Sequence, residues 1–320
     1  MPPPPPEGKR QKLSGAESRE RTLRFFQGLG ADVPLPASAE RSDAYSALVR
    51  ALLSPAAVSA SRVSCTLTIS PAVANQYNTL HGGAVAAVAE AVGMACARAA
   101  AGDKEMFLGE LSTAYLAAAR LNGGLATAAA NYPRAAGLPE QQATQAGERM
   151  QPPPEGEPQR LSPAESRART LAFFRALGAD ARLPASAELP DAYSALVHAI
   201  LSSAAVSASP APRVSCTLTV SPAVTNAYNT LHGGAVAAVS EAVGMACARA
   251  ATGDKEMFLG ELSTAYLAAA RLDSEVDVEA QILRKGRSVV VTTIEFRLKD
   301  TKKLCYTSRA TFYIMPVASL

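Results

Sequence analysis

One stretch of this chain occurs twice, almost without change. The residues from Asn78 to Leu121 return as Asn229 to Leu272, and only two positions differ between the copies. A repeat of this length indicates a duplicated folding unit, and any proposed fold must account for both copies. The copies diverge after this block. The second continues through three segments of alternating apolar and polar residues, whereas the first turns into a Gly-, Ala- and Gln-rich stretch.

The repeat also predicts the domain organisation. At 320 residues the chain is long enough for two domains. The proline-rich start at Met1 is echoed at Met150, so the second copy resembles a whole unit with its own beginning. We therefore expect a truncated first repeat at residues 1–121, a linker with the second proline-rich start at 122–160, and a complete domain at 161–320.

Composition limits the classes of function. A net charge of +3 is too small to favour nucleic acid as a partner. The five cysteines are odd in number and lie in apolar runs, which predicts buried, reduced thiols. No charge-free apolar run reaches the ~18 residues of a membrane span, and no His or Cys pair has metal-ligand spacing. We expect no metal, no membrane span, and a location in the cytoplasm or an organellar matrix such as the peroxisome.

The hydrophobic pattern predicts an α+β fold. The segment from Gly82 to Ala97 and its second copy are apolar on every side, which indicates a helix wrapped by other elements. Strands with period-two patterning surround the second copy of this helix. They are expected at Arg213 to Val220, Met257 to Ala269, Glu275 to Ile282, Ser288 to Leu298 and Leu304 to Ile314. The complete copy should thus be a five-stranded antiparallel sheet around one buried helix.

Two carboxylates are the candidates for chemistry. Glu90 and Glu241 are the acidic residues inside these apolar helices, where an unpaired carboxylate is costly. A structural role would be the ordinary interpretation. However, His232, Gly233 and Gly234 stand at the start of the second helix, where bare N–H groups and the helix dipole favour developing negative charge. This combination favours a site that polarises a carbonyl group.

Spacing separates the two halves of such a site. Nine residues lie between His232 and Glu241, which places them ~13 Å apart on opposite sides of one helix. Either the two groups act separately, or the Glu of one helix meets the His-Gly end of another helix across a two-fold interface.

The motif Asn226-x5-His232-Gly233-Gly234-x6-Glu241 resembles that of the hotdog-fold thioesterases. The similarity is to the branch of small acyl-CoA thioesterases that includes the phenylacetate-pathway and mammalian thioesterase-superfamily-member types. It covers about Arg213 to Ile314 in full and about Arg62 to Leu121 in the first copy.

The resemblance implies a hotdog fold, duplicated with the first repeat incomplete, and a sheet in the order first, third, fourth, fifth, second. It implies a catalytic set of Glu241, Asn226, His232 and Gly233. The Gly N–H would polarise the thioester carbonyl, and the carboxylate would come from a partner subunit of a dimer or tetramer. Acyl-CoA would be the substrate, with no cofactor besides the CoA of the substrate itself. Gly234 and the basic residues Arg284, Lys285 and Arg287 would bind CoA.

The first copy carries the same motif without the same framework. Asn75, His81, Gly82 and Glu90 are in register with the second copy and form a possible degenerate site. The last three strands are missing, so this copy should not fold as an independent hotdog domain. It either docks its helix and strand onto a complete domain, is partly disordered, or is the remnant of a fused gene.

Some alternatives stay open. Relatives often hold the attacking water with Ser or Thr on the strand after the helix, and Leu259 stands there, with Ser263 and Thr264 further along. The carboxylate could act as general base or as nucleophile. The competing hypotheses are a thioesterase, a non-catalytic acyl-CoA binding module, and a hotdog dehydratase, whose Asp/His dyad this spacing does not offer.

Overall fold

The computed structural model describes residues 53–59, 62–75, 77–101, 107–121, 126–131, 197, 205–207, 212–226, 228–252 and 255–315. The proline-rich starts and most of the predicted linker at 122–160 lie outside them. The first copy contains β1 (Leu53–Ser59), β2 (Arg62–Leu67), α1 (Gly82–Ala101), β3 (Glu110–Ala114) and β4 (Ala126–Asn131). The second contains β5 (Ala205–Ser207), β6 (Arg213–Thr219), α2 (Gly233–Thr252), β7 (Met257–Tyr266), β8 (Glu275–Lys285), β9 (Val289–Leu298) and β10 (Leu304–Ile314).

The second copy consists of one antiparallel sheet that packs against α2. Its strands lie in the order β7-β10-β9-β8-β6-β5. Leaving aside the short β5, this is the order that the resemblance implies. The alternating patterns at β8, β9 and β10 place their apolar residues on the face that covers α2, and Phe296 and Phe312 are fully buried there. The expected α+β class is what the structure shows.

Small residues let α2 lie close to the sheet. Gly244 marks the tightest point, since a Cβ atom there would lie 2.9 Å from Thr292 Oγ1 and 3.3 Å from Phe312 Cζ. Its counterpart in α1 is Gly93, where a Cβ atom would meet nothing within 4 Å. The difference follows from β9 and β10, for which the described part of the first copy has no equivalent.

The first copy forms a smaller sheet. Its order is β1-β2-β4, with β4 beside β2 just as β8 lies beside β6. Within the segment that the sequence predicts to be linker, Ala126–Asn131 is therefore a strand. Alanine has a low intrinsic preference for strands, so pairing with β2 decides this conformation. α1 packs against β2 and β4.

The two copies join through one strand pair and one helix pair. β3 pairs with the outer edge of β7 in an antiparallel register, which extends the larger sheet to seven strands. Ser112 lies opposite Ser263, and these are equivalent residues of the two copies, so the junction has local pseudo-two-fold symmetry. α1 packs against α2 in the layer beneath. Of the three alternatives for the first copy, docking onto the complete domain is the one that the structure shows.

α2 combines unusual apolarity with burial. Among the described helices it is the one long and apolar enough to cross a membrane, by length and composition. Yet 72% of its most apolar stretch of 18 residues is buried inside the protein. A core helix has the same properties. All five cysteines are free and buried, as the sequence predicts.

Candidate active site

The packing of α1 against α2 brings each carboxylate to the glycine end of the other helix. The N–H of Gly83 donates a hydrogen bond of 3.1 Å to Oε2 of Glu241. The same N–H lies 3.3 Å from Nδ1 of His81, and that nitrogen is 3.4 Å from the carboxylate. We call this group, His81, Gly82 and Gly83 with Glu241, the Glu241 site.

In a second group of residues, the His-Gly-Gly segment comes from the second copy and the carboxylate from the first. Nδ1 of His232 lies 3.6 Å from Oε2 of Glu90, and the N–H of Gly234 donates a hydrogen bond of 3.0 Å to that ring nitrogen. We call His232, Gly233 and Gly234 with Glu90 the Glu90 site. Each site takes its His-Gly-Gly segment from one copy and its carboxylate from the other.

The first glycine of each pair gives the carboxylate room to approach. A Cβ atom on Gly82 would lie 2.5 Å from Oε2 of Glu241, and one on Gly233 would lie 2.6 Å from Oε2 of Glu90. Any other residue would push the carboxylate away from the helix N-terminus. Glycine is therefore required at these positions by contact across the helix pair.

The two carboxylates differ in their surroundings. Burial raises the pKa of Glu90 from 4.5 to about 7, and the Gly234 N–H opposes this shift only in part. Oε2 of Glu90 is buried, and it accepts no hydrogen bond of ordinary geometry from the described residues. Glu241, by contrast, accepts the hydrogen bond from Gly83.

The predicted catalytic set is divided between the two sites. His232 and Gly233 belong to the Glu90 site, whereas Glu241 faces His81 and Gly82 of the first copy. The partner expected from a second subunit is thus supplied by the same chain. The possible degenerate set is divided in the same way, with Glu90 at one site and His81 and Gly82 at the other. The spacing had offered a meeting of one helix's Glu with the His-Gly end of another helix as one of two possibilities. It did not show that both helices would belong to one chain, because the motif is the same in both copies.

Asn75 and Asn226 organise the loops that lead into the helices. Oδ1 of Asn226 accepts hydrogen bonds from the N–H groups of Tyr228 (3.0 Å) and Thr230 (3.2 Å) and from the Thr230 hydroxyl (3.0 Å). Asn75 makes the same bonds to Tyr77 and Thr79. Their direct part in chemistry stays a prediction.

Three of the four predicted CoA-binding residues lie at the far end of α2, whereas Gly234 lies at its start, in the Glu90 site. Arg284, Lys285 and Arg287 are exposed at the turn between β8 and β9. The ammonium of Lys285 donates a hydrogen bond to the carbonyl oxygen of Ala251, in the last turn of the helix. Ala251 is ten residues beyond Glu241, or about 15 Å along the helix, but about 27 Å from Gly233. The basic turn therefore lies nearer to the Glu241 site.

The strand after α2 offers no hydroxyl at the position where relatives have one. Leu259 is buried in β7. The hydroxyl of Thr264 is hydrogen bonded to that of Ser308, and Ser263 is 3.4 Å from Glu110. The described residues hold no cluster of His, Cys, Asp and Glu side chains suited to a metal ion.

Sequence reasoning missed two tyrosines at these sites. The hydroxyl of Tyr115 donates to the carbonyl oxygen of Gly82 at 3.0 Å, and that of Tyr266 donates to Gly233 at 3.1 Å. A tyrosine at a strand end is ordinarily a packing residue. Both lie in the nearly identical block, so comparison of the two copies gives no signal that sets them apart.

Comparison with known proteins places both motifs within one family profile. The profile of the Thioesterase superfamily matches residues 77–128 and 228–305, which include both His-Gly-Gly segments and both carboxylates. These two segments, which together cover about two fifths of the chain, are similar to this superfamily.

Individual relatives of the superfamily are distant. A Caenorhabditis elegans protein provisionally named an esterase is 28% identical over 101 residues, which is 32% of this chain and 60% of that protein. Human acyl-coenzyme A thioesterase 13 is 27% identical over 109 residues, which is 34% of this chain and 77% of that protein. The crystal structure of zebra fish thioesterase superfamily member 2 matches with 22% identity and a TM-score of 0.35, over 38% of this chain and 86% of that one.

Proposed function

We propose that this chain is an acyl-CoA thioesterase, which adds water to the thioester carbonyl and releases a free acid and CoA. One observation carries the proposal: the hydrogen bond from the Gly83 N–H to the Glu241 carboxylate across the helix pair. A backbone donor at a helix N-terminus and a carboxylate thus converge on one point. There the N–H can bind a carbonyl oxygen while the carboxylate activates or provides the nucleophile. The name of the human relative, acyl-coenzyme A thioesterase 13, supports the choice of substrate.

The reaction requires only groups that the site provides. The thioester oxygen would take the Gly83 N–H from the carboxylate and gain negative charge as the carbonyl is attacked. Glu241 either removes a proton from the attacking water or attacks the carbonyl itself, giving an anhydride that water then hydrolyses. In both routes the C–S bond breaks and the thiolate of CoA leaves.

The Glu241 site is the principal site in this proposal. The basic turn with Arg284 and Arg287 lies on its side of α2, where guanidinium groups can bind the phosphates of CoA. The described part of the first copy has no equivalent turn for the Glu90 site. We therefore propose unequal sites within a duplicated hotdog protein whose first repeat is incomplete. Association of whole chains into dimers or tetramers stays a prediction, and neither site requires it.

A panel of acyl-CoA thioesters would test the function. We would incubate the full chain with acetyl-, hexanoyl-, palmitoyl- and phenylacetyl-CoA and measure release of the CoA thiol. Glu241→Gln keeps the shape of the side chain and should lower turnover by ~10²-fold or more. Glu90→Gln should have a smaller effect, and the double variant should be inactive. The matched control is Glu261→Gln, which changes an exposed carboxylate on β7 and should retain full activity.

Two results would contradict the proposal. Full hydrolysis by Glu241→Gln would remove this carboxylate from the reaction. Binding of CoA without hydrolysis of any thioester would indicate a non-catalytic acyl-CoA binding module.

A further inference from the structure

At each site, the peptide group between the two glycines makes hydrogen bonds through both its N–H and its carbonyl oxygen. The peptide that links Gly82 to Gly83 presents its N–H to Glu241 and its carbonyl oxygen to the hydroxyl of Tyr115. In a trans peptide these two groups point in opposite directions. Tyr115 and Glu241 therefore lie on opposite sides of the same peptide group.

The second site has the same tyrosine contact, while its N–H donates to the ring nitrogen of His232. Tyr266 donates to the carbonyl oxygen of Gly233, whose peptide provides the Gly234 N–H beside Glu90. Each tyrosine hydroxyl also lies close enough to the carboxylate of its site for the two to interact electrostatically. The same contact thus forms twice, although the sheets around the two helices differ.

We propose that Tyr115 is a positioning residue for the Glu241 site, and that Tyr266 has the same role at the Glu90 site. The inference rests on the proposed function. The hydroxyl fixes the orientation of a peptide that glycine on both sides leaves conformationally free. A hydrogen bond to its carbonyl oxygen also polarises the peptide and strengthens the N–H as a donor to an oxyanion.

The alternative role of an acid or nucleophile fits the tyrosines poorly. Burial raises the pKa of both hydroxyls well above the ordinary value of 10, and the nearby carboxylates add to the shift. The hydroxyls stay protonated and are directed at a backbone oxygen. They act on the reaction through the peptide.

The test removes one hydroxyl at a time. Tyr115→Phe should lower kcat by about 10-fold with little change in KM, because the N–H acts on the transition state. In the Glu241→Gln background the same change should have no further effect, whereas Tyr266→Phe should reduce the remaining activity. The matched control is Tyr306→Phe, which removes a buried hydroxyl that accepts a hydrogen bond from the Ala270 N–H. It should leave activity at the Glu241 site unchanged.

A spectroscopic measurement separates this proposal from the proposed function. The chain has three Gly–Gly peptide bonds, at 82–83, 123–124 and 233–234. Protein labelled with 13C and 15N only in glycine therefore gives three carbonyl–nitrogen correlations. Loss of a hydrogen bond to the carbonyl moves its 13C signal upfield. Tyr115→Phe should move one signal, Tyr266→Phe a second, and Tyr306→Phe neither.

Two outcomes would overturn the inference. Glycine signals that do not move would show that the hydroxyl does not hold the peptide. A moved signal with unchanged kcat would show that holding it has no effect on the reaction. If the unaltered chain hydrolyses no thioester, the proposed function fails, and the glycine signals still decide whether the tyrosines hold these peptides.

Discussion

Gly82 and Gly233 are the positions at which one methyl group would separate a carboxylate from its N–H group. The atoms that the methyl group would meet belong to the end of a flexible Glu side chain, which can move at low cost. We therefore expect Gly82→Ala to lose at least ~10-fold in thioester hydrolysis while its melting temperature stays close to that of the unaltered chain. Gly233→Ala should affect only the smaller activity of the Glu90 site. A large loss of thermal stability in Gly82→Ala would show that the glycine serves the fold instead.

Glu90 gives a prediction about stability and pH. Its pKa of about 7 in the folded protein exceeds the value of 4.5 expected for an exposed Glu, so its charged form disfavours folding. Below pH 4.5 the residue is neutral in both states and costs nothing. As the pH rises from 4.5 to 7 only the unfolded state ionises, and above pH 7 the full cost of roughly 3 kcal/mol is present.

Glu90→Gln removes this cost, because Gln does not ionise. Thermal unfolding should show the variant to be more stable than the unaltered chain at about pH 8. The difference should disappear at about pH 4. An equal difference at both values would mean that the carboxylate is not responsible.

At the scale of elements, the pairing of β3 with β7 holds the two copies in register. The N–H of Tyr115 donates to the carbonyl of Gly260, and that of Tyr266 to Gly109. The alternation of an antiparallel ladder then directs the N–H of Thr113 toward β7 and that of Ser112 toward the open edge.

Thr113→Pro removes a ladder hydrogen bond and should lower the activity of both sites together with thermal stability. Ser112→Pro is the matched control, since proline is tolerated where the N–H faces away from the sheet. Equal loss in both variants would contradict the assigned register.

The elements also show which parts of the fold could be predicted from the sequence. Period-two patterning predicted β8, β9 and β10 within a few residues of their ends, because half of each strand faces the core. β4 was missed, since its Ala-rich sequence has no such pattern and only pairing with β2 makes it a strand. The His-Gly-Gly segments and carboxylates were predicted from spacing. The meeting of one helix's Glu with another helix's His-Gly end was one of two possibilities, but the pairing of two helices from one chain depends on how α1 and α2 pack.

At the scale of the whole molecule, the first copy occupies the place that a second subunit would take. Without it, the edge of β7 and one face of α2 would be uncovered, and both are surfaces that pair readily. We expect a protein of residues 150–320 to form dimers through β7, with Glu241 of each chain against Gly233 of the other. The full chain, whose β7 edge already pairs with β3, should not associate through this edge.

Light scattering of the two proteins at equal concentration would check this. Hydrolysis by the shorter dimer should depend on both Glu241 and Gly233, whereas hydrolysis by the full chain should depend mainly on Glu241 and Gly82. A monomeric and active form of residues 150–320 would show that the carboxylate needs no second helix N-terminus.

The antiparallel junction at Ser112 and Ser263 has a consequence for how the two sites can diverge. In a dimer of identical chains every substitution is made twice, so a change that improves one site alters the other as well. Here the two halves are encoded separately, and covalent linkage keeps them at an effective concentration that does not fall on dilution. Ala89 beside Glu90 and Ser240 beside Glu241 already differ. One site can therefore change its substrate or lose its activity while the other is retained.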